Sequence, residues 1–463
     1  IARIHMFFEK CDIHPGDKIA LLGKNTIRWV TVYMATLTYG AVIVPILPEF
    51  NPQDAMHIVN HSESKMLFVS ESIWETLEFE RMPHVRLAMS LDESRVLAEH
   101  PDHNHRAEIV LRQLPLDFKR RYQGGYSPSD IIYPLMDKND VAEINYTSGT
   151  TGFSKGVMLS HNNLCGNVMF GIKSHLYYPG SRCLSFLPLA HAYGAAFDML
   201  VPLACGASVT LFGKMPTPKL LLKAMAEVRP HLILCVPLIL EKIYQNQIKP
   251  VLAEPKTKRL LSMPLLNKLV YSRIRKKLID AFGGNFAEII VGGAPINPEV
   301  EEFLYRIRFP FTVGYGMTEC GPLISYTPWD EFIPGSAGRT LPSLMRSKAL
   351  SPDPTKTPGE ICVKGENVML GYFKNPEATK AVIDADGWLH TGDMGTISDN
   401  GTIFLRGRNK TMILSSNGQN IYPEEIEAKL NNMPYVSESL VVERSHRLVA
   451  LVYPDYEATD RMG

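Results

Sequence analysis

The chain has 463 residues, too many for one small core, so two or more domains are expected. Its 48 basic and 48 acidic residues cancel, and no basic tail stands ready for a nucleic acid. A hydrophobic content of 45% with 21% charge is that of an ordinary globular protein.

The first 70 residues alternate strand-like and helical runs. Strands are predicted at Ile19–Leu22, Ala41–Val44 and Met66–Val69, the pattern of a parallel sheet covered by helices. The apolar stretch Trp29–Pro48 is interrupted by Thr31, Thr36, Thr38, Tyr39 and Gly40, so it predicts a buried helix ending at Gly40, not a membrane span. Residues 70–138 are less regular. They hold His100, Asp102, His103 and His105, whose spacing fits a solvated loop better than a metal site. Beyond Asp140 the alternation resumes, with strands predicted at Val209–Phe212, Leu232–Val236, Ile289–Val291 and Phe311–Val313.

Lys256–Phe282 interleaves eight basic residues with Leu, Met, Val and Ile. A solvated helix face is the plainer reading, and a peripheral contact with an anionic membrane stays open. Short strands are predicted at Glu360–Val363 and Val368–Leu370, followed by a helix Pro376–Ile383, a turn at Asp386-Gly387 and a hairpin turn at Asp399-Asn400-Gly401. Together they form a small β-rich subdomain. After Arg408 the pattern changes again: Met412–Leu414 is strand-like and Pro423 opens a helix, which places a domain boundary near Lys410. The seven cysteines contain no C-x-x-C pair, which argues against zinc or disulfide frameworks and for a reducing cytosol. No signal peptide is visible. The chain opens on Ile and stops at Gly463 soon after an apolar run, so both ends are expected to be truncated.

The most informative stretch is Tyr146-Thr147-Ser148-Gly149-Thr150-Thr151-Gly152-Phe153-Ser154-Lys155-Gly156-Val157. Glycines permit backbone conformations that other residues avoid, and clustered N–H groups, hydroxyls and one ammonium converge on an anion. The spacing is not that of a Walker A loop, because Gly152 follows Gly149 by three and Lys155 is followed by Gly156. A flexible surface turn is the alternative, and the hydrophobic runs on both sides argue against it.

This stretch resembles the phosphate loop of the adenylate-forming superfamily, which includes acyl-CoA synthetases, the adenylation domains of peptide synthetases and beetle luciferases. Ser154 stands where that family most often has proline. Further motifs match in the family's order. The resemblance implies that Thr147, Ser148, Gly149, Thr150, Thr151, Gly152 and Lys155 hold the β- and γ-phosphates of ATP. In Gly314-Tyr315-Gly316-Met317-Thr318-Glu319, Tyr315 would stack on adenine, Gly316 and Met317 would adjoin it, Thr318 would meet the α-phosphate, and Glu319 would bind Mg²⁺, with Thr147 on the metal side. Gly293, Ala294 and Pro295 would line the adenine and acyl pocket. Asp393, in Thr391-Gly392-Asp393, and Arg408 would take the ribose hydroxyls, and Lys410 would be the hinge. Gly418 would leave room for the pantetheine arm of CoA. His191, in a segment that carries a gating residue in the family, would sit beside the reacting carboxylate; the alternative is a buried, hydrogen-bonded core histidine.

The implied fold is α/β: a large multi-subdomain region, 1–408, with two helix-flanked sheets and a small β-rich subdomain, then a small mobile α+β domain beginning at 409. The implied reaction joins a fatty acid to CoA through an acyl-adenylate, with ATP and Mg²⁺. The segments Leu184–His191 and Val236–Tyr244 resemble long-chain members most. The family's late adenylation lysine has no counterpart before Gly463, which is expected to lie beyond the chain's end. Two other readings remain: a ligase that loads a carrier-protein phosphopantetheine, and a catalytically silent nucleotide- or acyl-binding paralogue. No nucleic-acid partner is implied. The expected location is cytoplasmic, with contact at the inner face of a membrane left open.

Overall fold

A computed structural model describes residues 1–101, 107–147, 155–213, 217–263, 266–409, 411–414, 420–433, 435–444, 447–454 and 456. The chain forms two compact units. The first is built from Ile1–Thr217, Met317–Pro322 and Glu366–Lys380, the second from Pro218–Gly316, Leu323–Gly365 and Ala381–Gly463.

The first unit is organised on an eight-stranded sheet. Its order is Gly371–Tyr372, Lys155–Ser160, Val141–Thr147, Val42–Ile46, Lys18–Leu22, Met66–Val69, Leu87–Ser90, Val96–Glu99. The central strands run parallel, and the three at the phosphate-loop side and the one at the far edge add antiparallel pairs. Val42–Ile46 and Met66–Val69 are buried at every position. Continuous apolar runs are what a parallel sheet covered on both faces demands.

The helix Ile27–Tyr39 packs on Lys18–Leu22 and Val42–Ile46. Thr26 caps it by accepting the Trp29 N–H at 3.1 Å, and Gly40 ends it at φ +84°, a left-handed conformation that glycine adopts without strain. Trp29 and Tyr33 stack at 5.3 Å, fully buried, and the Tyr33 hydroxyl donates to Glu143 Oε2 at 2.6 Å. Asn145 donates to the other oxygen at 2.8 Å. Burial raises the Glu143 pKa, against these two hydrogen bonds. Glu143 and Asn145 lie in the strand Val141–Thr147, which leads directly into the sequence 148–154.

The second unit holds three parallel strands, Leu232–Cys235, Glu288–Val291 and Phe311–Val313, and a four-stranded antiparallel sheet, Met345–Leu350, Gly359–Gly365, Leu389–Ile397 and Ile403–Arg408. The helix Pro423–Leu430 packs on the strand Val436–Arg444, which pairs with Arg447–Pro454. The architecture is the expected α/β one, with several sheets and a β-rich part.

The predicted helix end at Gly40 and the strand Met66–Val69 fall where expected. Three expectations need correction. The described part of residues 70–138 contains the strands Leu87–Ser90 and Val96–Glu99 and the helix Ala107–Arg121, with Pro115 inside it; the strands are too short and the helix too interrupted to give a clear period. Val368–Leu370 is not a strand: Asn163 Nδ2 donates to the carbonyls of Glu366 and Val368, at 2.7 and 3.0 Å, and the Met369 N–H donates to the Glu319 carbonyl. Strand pairing falls instead on Gly371–Tyr372. The helix from Pro376 stops at Lys380, because Ile383 bridges to Leu389. His103, His105 and Asp102 lie outside the described residues. Lys256–Phe282 holds two helices, Pro255–Leu261 and Leu266–Ala281, with Lys256, Lys258, Arg259, Lys268, Arg273, Lys276 and Lys277 exposed. No helix among the described residues is long and apolar enough to cross a membrane.

Candidate active site

Antiparallel pairing brings the two ends of the phosphate-loop sequence together, with Thr147 opposite Lys155 in register. Ser148, Gly149, Thr150, Thr151 and Gly152 lie outside the described residues. The neighbouring edge pair, Val157 with Tyr372, places the Tyr372 ring beneath Lys155, whose Nζ stands 4.9 Å from the ring centroid. An ammonium over an aromatic face is held by the ring quadrupole. The same tyrosine donates its hydroxyl to Glu319 Oε1 at 2.8 Å. Burial and the neighbouring Glu319 carboxylate raise the Tyr372 pKa, so it remains a hydrogen-bond donor at any ordinary pH.

Glu319 and Thr318 lie in a single 3₁₀ turn, Thr318–Cys320. The turn is anchored from behind: Asn167 Nδ2 donates to the Cys320 carbonyl at 3.3 Å, and the Glu319 carbonyl accepts from Met369 N–H at 2.8 Å. Thr318 is buried and Glu319 is half-buried. Glu319 Oε2 makes no hydrogen bond among the described residues. A half-buried carboxylate with one oxygen pinned and the other open has the donor chemistry of a magnesium ligand. Lys155, Tyr372 and Glu319 thus form one connected group in the first unit.

A second group lies in the second unit. Tyr315 is buried and donates its hydroxyl to Asp393 Oδ2 at 2.6 Å, while Arg408 Nε meets Asp393 Oδ1 at 3.3 Å. Asp393 and Arg408 are cross-strand partners in the pair Leu389–Ile397 with Ile403–Arg408. Burial raises the Asp393 pKa, and the Tyr315 hydroxyl and Arg408 pull it back down. Gly293 follows the strand Glu288–Val291 at φ +90°, and Gly293, Ala294 and Pro295 are exposed. A β-carbon at Gly293 would meet only Val236 Cγ1, at 3.8 Å, so the backbone angle rather than crowding demands glycine there. Gly316 is exposed and Met317 half-buried. The motif 314–319 changes unit midway: Gly314–Gly316 belongs to the second, Met317–Glu319 to the first. Lys410 and Gly418 lie outside the described residues.

His191 is neither buried nor part of a core. Its ring is exposed, and Nδ1 accepts the Tyr193 N–H at 3.2 Å, capping the short helix Ala192–Gly194. Desolvation by the surrounding protein lowers its pKa, which favours the neutral ring that can accept at Nδ1. The segment before it is held by two asparagines. Asn25 donates to the Leu187 carbonyl at 2.7 Å and accepts from Leu189 N–H at 3.1 Å. Asn145 donates to the Ala190 carbonyl at 3.2 Å. Beneath it, in a π-helical turn Ala195–Leu200, Asp198 accepts from Leu187 N–H at 3.4 Å, and burial pushes its carboxyl up to about 8.

The motifs led to Lys155, Glu319, Tyr315, Asp393 and Arg408. They did not lead to Tyr372, Asn25 or Glu360, which hold those residues or their loops. The only local signal was Gly371-Tyr372, an aromatic beside a glycine at φ +143°.

Comparison with known proteins places the chain in a family. The chain is 31% identical to long chain acyl-CoA synthetase 6, peroxisomal, of Arabidopsis thaliana, over 96% of this chain and 65% of that protein. It therefore spans slightly less than two thirds of that relative's length. It is 29% identical to a long-chain-fatty-acid–CoA ligase of Escherichia coli, over 93% of this chain and 74% of the other. Among solved structures, ATP-bound MatB from Rhodopseudomonas palustris superposes with a TM-score of 0.75 at 26% identity, covering 99% of this chain and 83% of MatB. Residues 2–373 match the family of AMP-binding enzymes, a span that takes in the phosphate loop, the His191 segment, the 314–319 motif and Tyr372. A match of that extent, on motifs whose geometry is coherent within each unit, makes this chain a member of the AMP-binding enzyme family.

Proposed function

We propose that the protein is an AMP-forming fatty acid–CoA ligase for long- or medium-chain acids. The observation that carries the reading is the Glu319–Tyr372–Lys155 group, which joins an open carboxylate oxygen to an ammonium at the mouth of a phosphate-loop sequence. The names of the Arabidopsis and Escherichia coli relatives support the fatty acid as substrate. In this reading the fatty carboxylate attacks the α-phosphorus of ATP, the bond to the β-phosphate breaks, and pyrophosphate leaves. The CoA thiol then attacks the acyl carbonyl and AMP leaves.

Lys155 sets positive charge where the departing pyrophosphate becomes negative, and the Tyr372 ring keeps it there. Mg²⁺, when bound, neutralises phosphate charge, and Glu319 is the residue that would hold it, with Thr147 on the same side. Thr318 binds the α-phosphate side. Tyr315 presents its ring to the adenine while its hydroxyl steadies Asp393, and Asp393 accepts from the ribose hydroxyls beside Arg408. Gly293, Ala294 and Pro295 border the base and acyl chain, and His191 gates the carboxylate as a neutral ring. Ser148, Gly149, Thr150, Thr151 and Gly152 complete the phosphate cradle. Lys410 is the hinge of a small domain beginning at 409, and Gly418 leaves the passage for pantetheine.

The test is AMP release from ATP and Mg²⁺ with a panel of fatty acids, with and without CoA. AMP formation that requires both acid and CoA supports the reading and ranks the chains. Acid-dependent pyrophosphate exchange without any gain from CoA assigns a carrier-protein acceptor instead. No turnover across the panel, with ATP still bound, rejects the fatty-acid ligase.

A further inference from the structure

The strands Gly359–Gly365 and Leu389–Ile397 do not pair evenly. Glu360 lies opposite Met394 and Cys362 opposite His390, so two steps on one strand face four on the other. Thr391-Gly392-Asp393 faces the single residue Ile361, so this stretch bulges from the ladder and carries Asp393 with it. A bulge of this kind strands backbone groups that the ladder would otherwise satisfy.

Four of these backbone groups have a substitute. The Gly392 N–H donates to Glu360 Oε1 at 3.1 Å, and Gly392 O accepts from Asn409 N–H at 2.8 Å. Thr391 Oγ1 donates to the Ile361 carbonyl at 2.8 Å and accepts from Asp393 N–H at 3.1 Å. Glu360 is itself held: His390 Nδ1–H donates to its Oε2 at 2.9 Å, and His390 Nε2 faces Asp384 Oδ2 at 3.7 Å. Asp384 is set by the N–H groups of Asp386 and Trp388, at 3.0 and 2.8 Å. Cys362 Sγ stands 3.6 Å from His390 Nδ1. Glu360, Cys362 and His390 are close enough to hold a cation. Hydrogen bonds already engage both Glu360 oxygens and His390 Nδ1, and burial pushes the Cys362 thiol up to about 12, so a hydrogen-bonded brace accounts for the cluster.

We propose that Glu360, held by His390, is a positioning residue that fixes the Thr391-Gly392-Asp393 bulge and so aims the Asp393 carboxylate at the nucleotide's sugar. This rests on the ribose reading of Asp393. Glu360 is linked to Asp393 by hydrogen bonding through the Gly392 N–H, and its charge also raises the Asp393 pKa. Gly392 sits at φ +75° with open space where a β-carbon would be, so the bulge depends on that backbone angle and on the acceptor beneath it.

The test compares equilibrium binding of ATP and of 2′,3′-dideoxy-ATP to the whole protein by calorimetry. Their affinity ratio reads the sugar contact alone, because general loosening would weaken both nucleotides alike. The ratio in the unaltered protein is expected to be about tenfold, the value of one well-placed bond to a charged acceptor. Glu360→Ala should cut it to about twofold, and Glu360→Gln, which keeps an acceptor for Gly392, should restore most of it. A ratio unchanged in Glu360→Ala but abolished in Asp393→Ala overturns the positioning role and leaves the ribose reading standing. A ratio unchanged in Asp393→Ala sinks the ribose reading and the proposal with it. If Glu360→Ala does not fold, His390→Ala, which frees the second Glu360 oxygen, carries the test: a lowered ratio supports the proposal and an unchanged one overturns it.

Discussion

Lys155 and Tyr372 separate two effects that a single deletion would merge. Lys155→Ala removes the charge, and the adenylation rate should fall about 100-fold, as when one pre-set electrostatic donor is lost. Tyr372→Phe keeps the ring beneath the ammonium and removes only the hydroxyl bonded to Glu319, so the rate should fall about fivefold, the worth of one hydrogen bond. Stopped-flow pyrophosphate release on both variants checks the order; equal losses would mean that the hydroxyl bonded to Glu319 matters as much as the Lys155 charge. Lys155, Glu319 and Asp393 were legible because each sits inside a contiguous motif whose chemistry is local. Tyr372 was not. Its two partners lie at positions 155 and 319, and only sheet pairing at the edge strand brings them to it.

Among the elements, the segment before His191 shows how a loop is held without a ladder. Asn25 supplies one donor and one acceptor to Leu187 and Leu189, the two bonds a neighbouring strand would have made. Asn25→Ala leaves the Leu187 carbonyl and the Leu189 N–H, both on buried residues, without this partner, which should destabilise the protein by about 1–3 kcal/mol. Asn25→Asp keeps the acceptor alone and should fall between. Denaturant unfolding of the three proteins measures this, and an Asn25→Ala midpoint equal to the parent's would show that water replaces both bonds. Such a clamp leaves no trace in the sequence, because its halves are 162 residues apart. The buried parallel strands are the opposite case. Met66–Val69 is apolar at every position, and its full burial follows from that run alone. Residues 70–138 fall between: their strands are short and their helix holds a proline, so the periodic signal is weak where the structure is still regular.

Across the whole molecule, two buried acids contribute to the response to pH. Burial pushes Asp198 up to about 8 and Glu301 up to about 7. In the unfolded chain both titrate near about 4. The native state therefore holds these protons more tightly, so their contribution favours folding below about pH 4 and is withdrawn as pH rises through 7 and 8. Melting temperature should fall between pH 5 and 8, and Asp198→Asn with Glu301→Gln should flatten that fall. A double variant with the parent's slope would assign the dependence to other groups.

The first unit is assembled from three separated stretches, the last ending at Lys380. During synthesis, Thr217 leaves the ribosome roughly 160 residues before Lys380 does, a wait on the order of ten to thirty seconds at ordinary elongation rates. Throughout that interval the strand Lys155–Ser160 has no Gly371–Tyr372 on its outer side, and Lys155 has no ring beneath it. The nascent chain thus carries a bare sheet edge throughout that interval, and Lys155, Glu319 and Tyr372 come together only once residue 372 has been made.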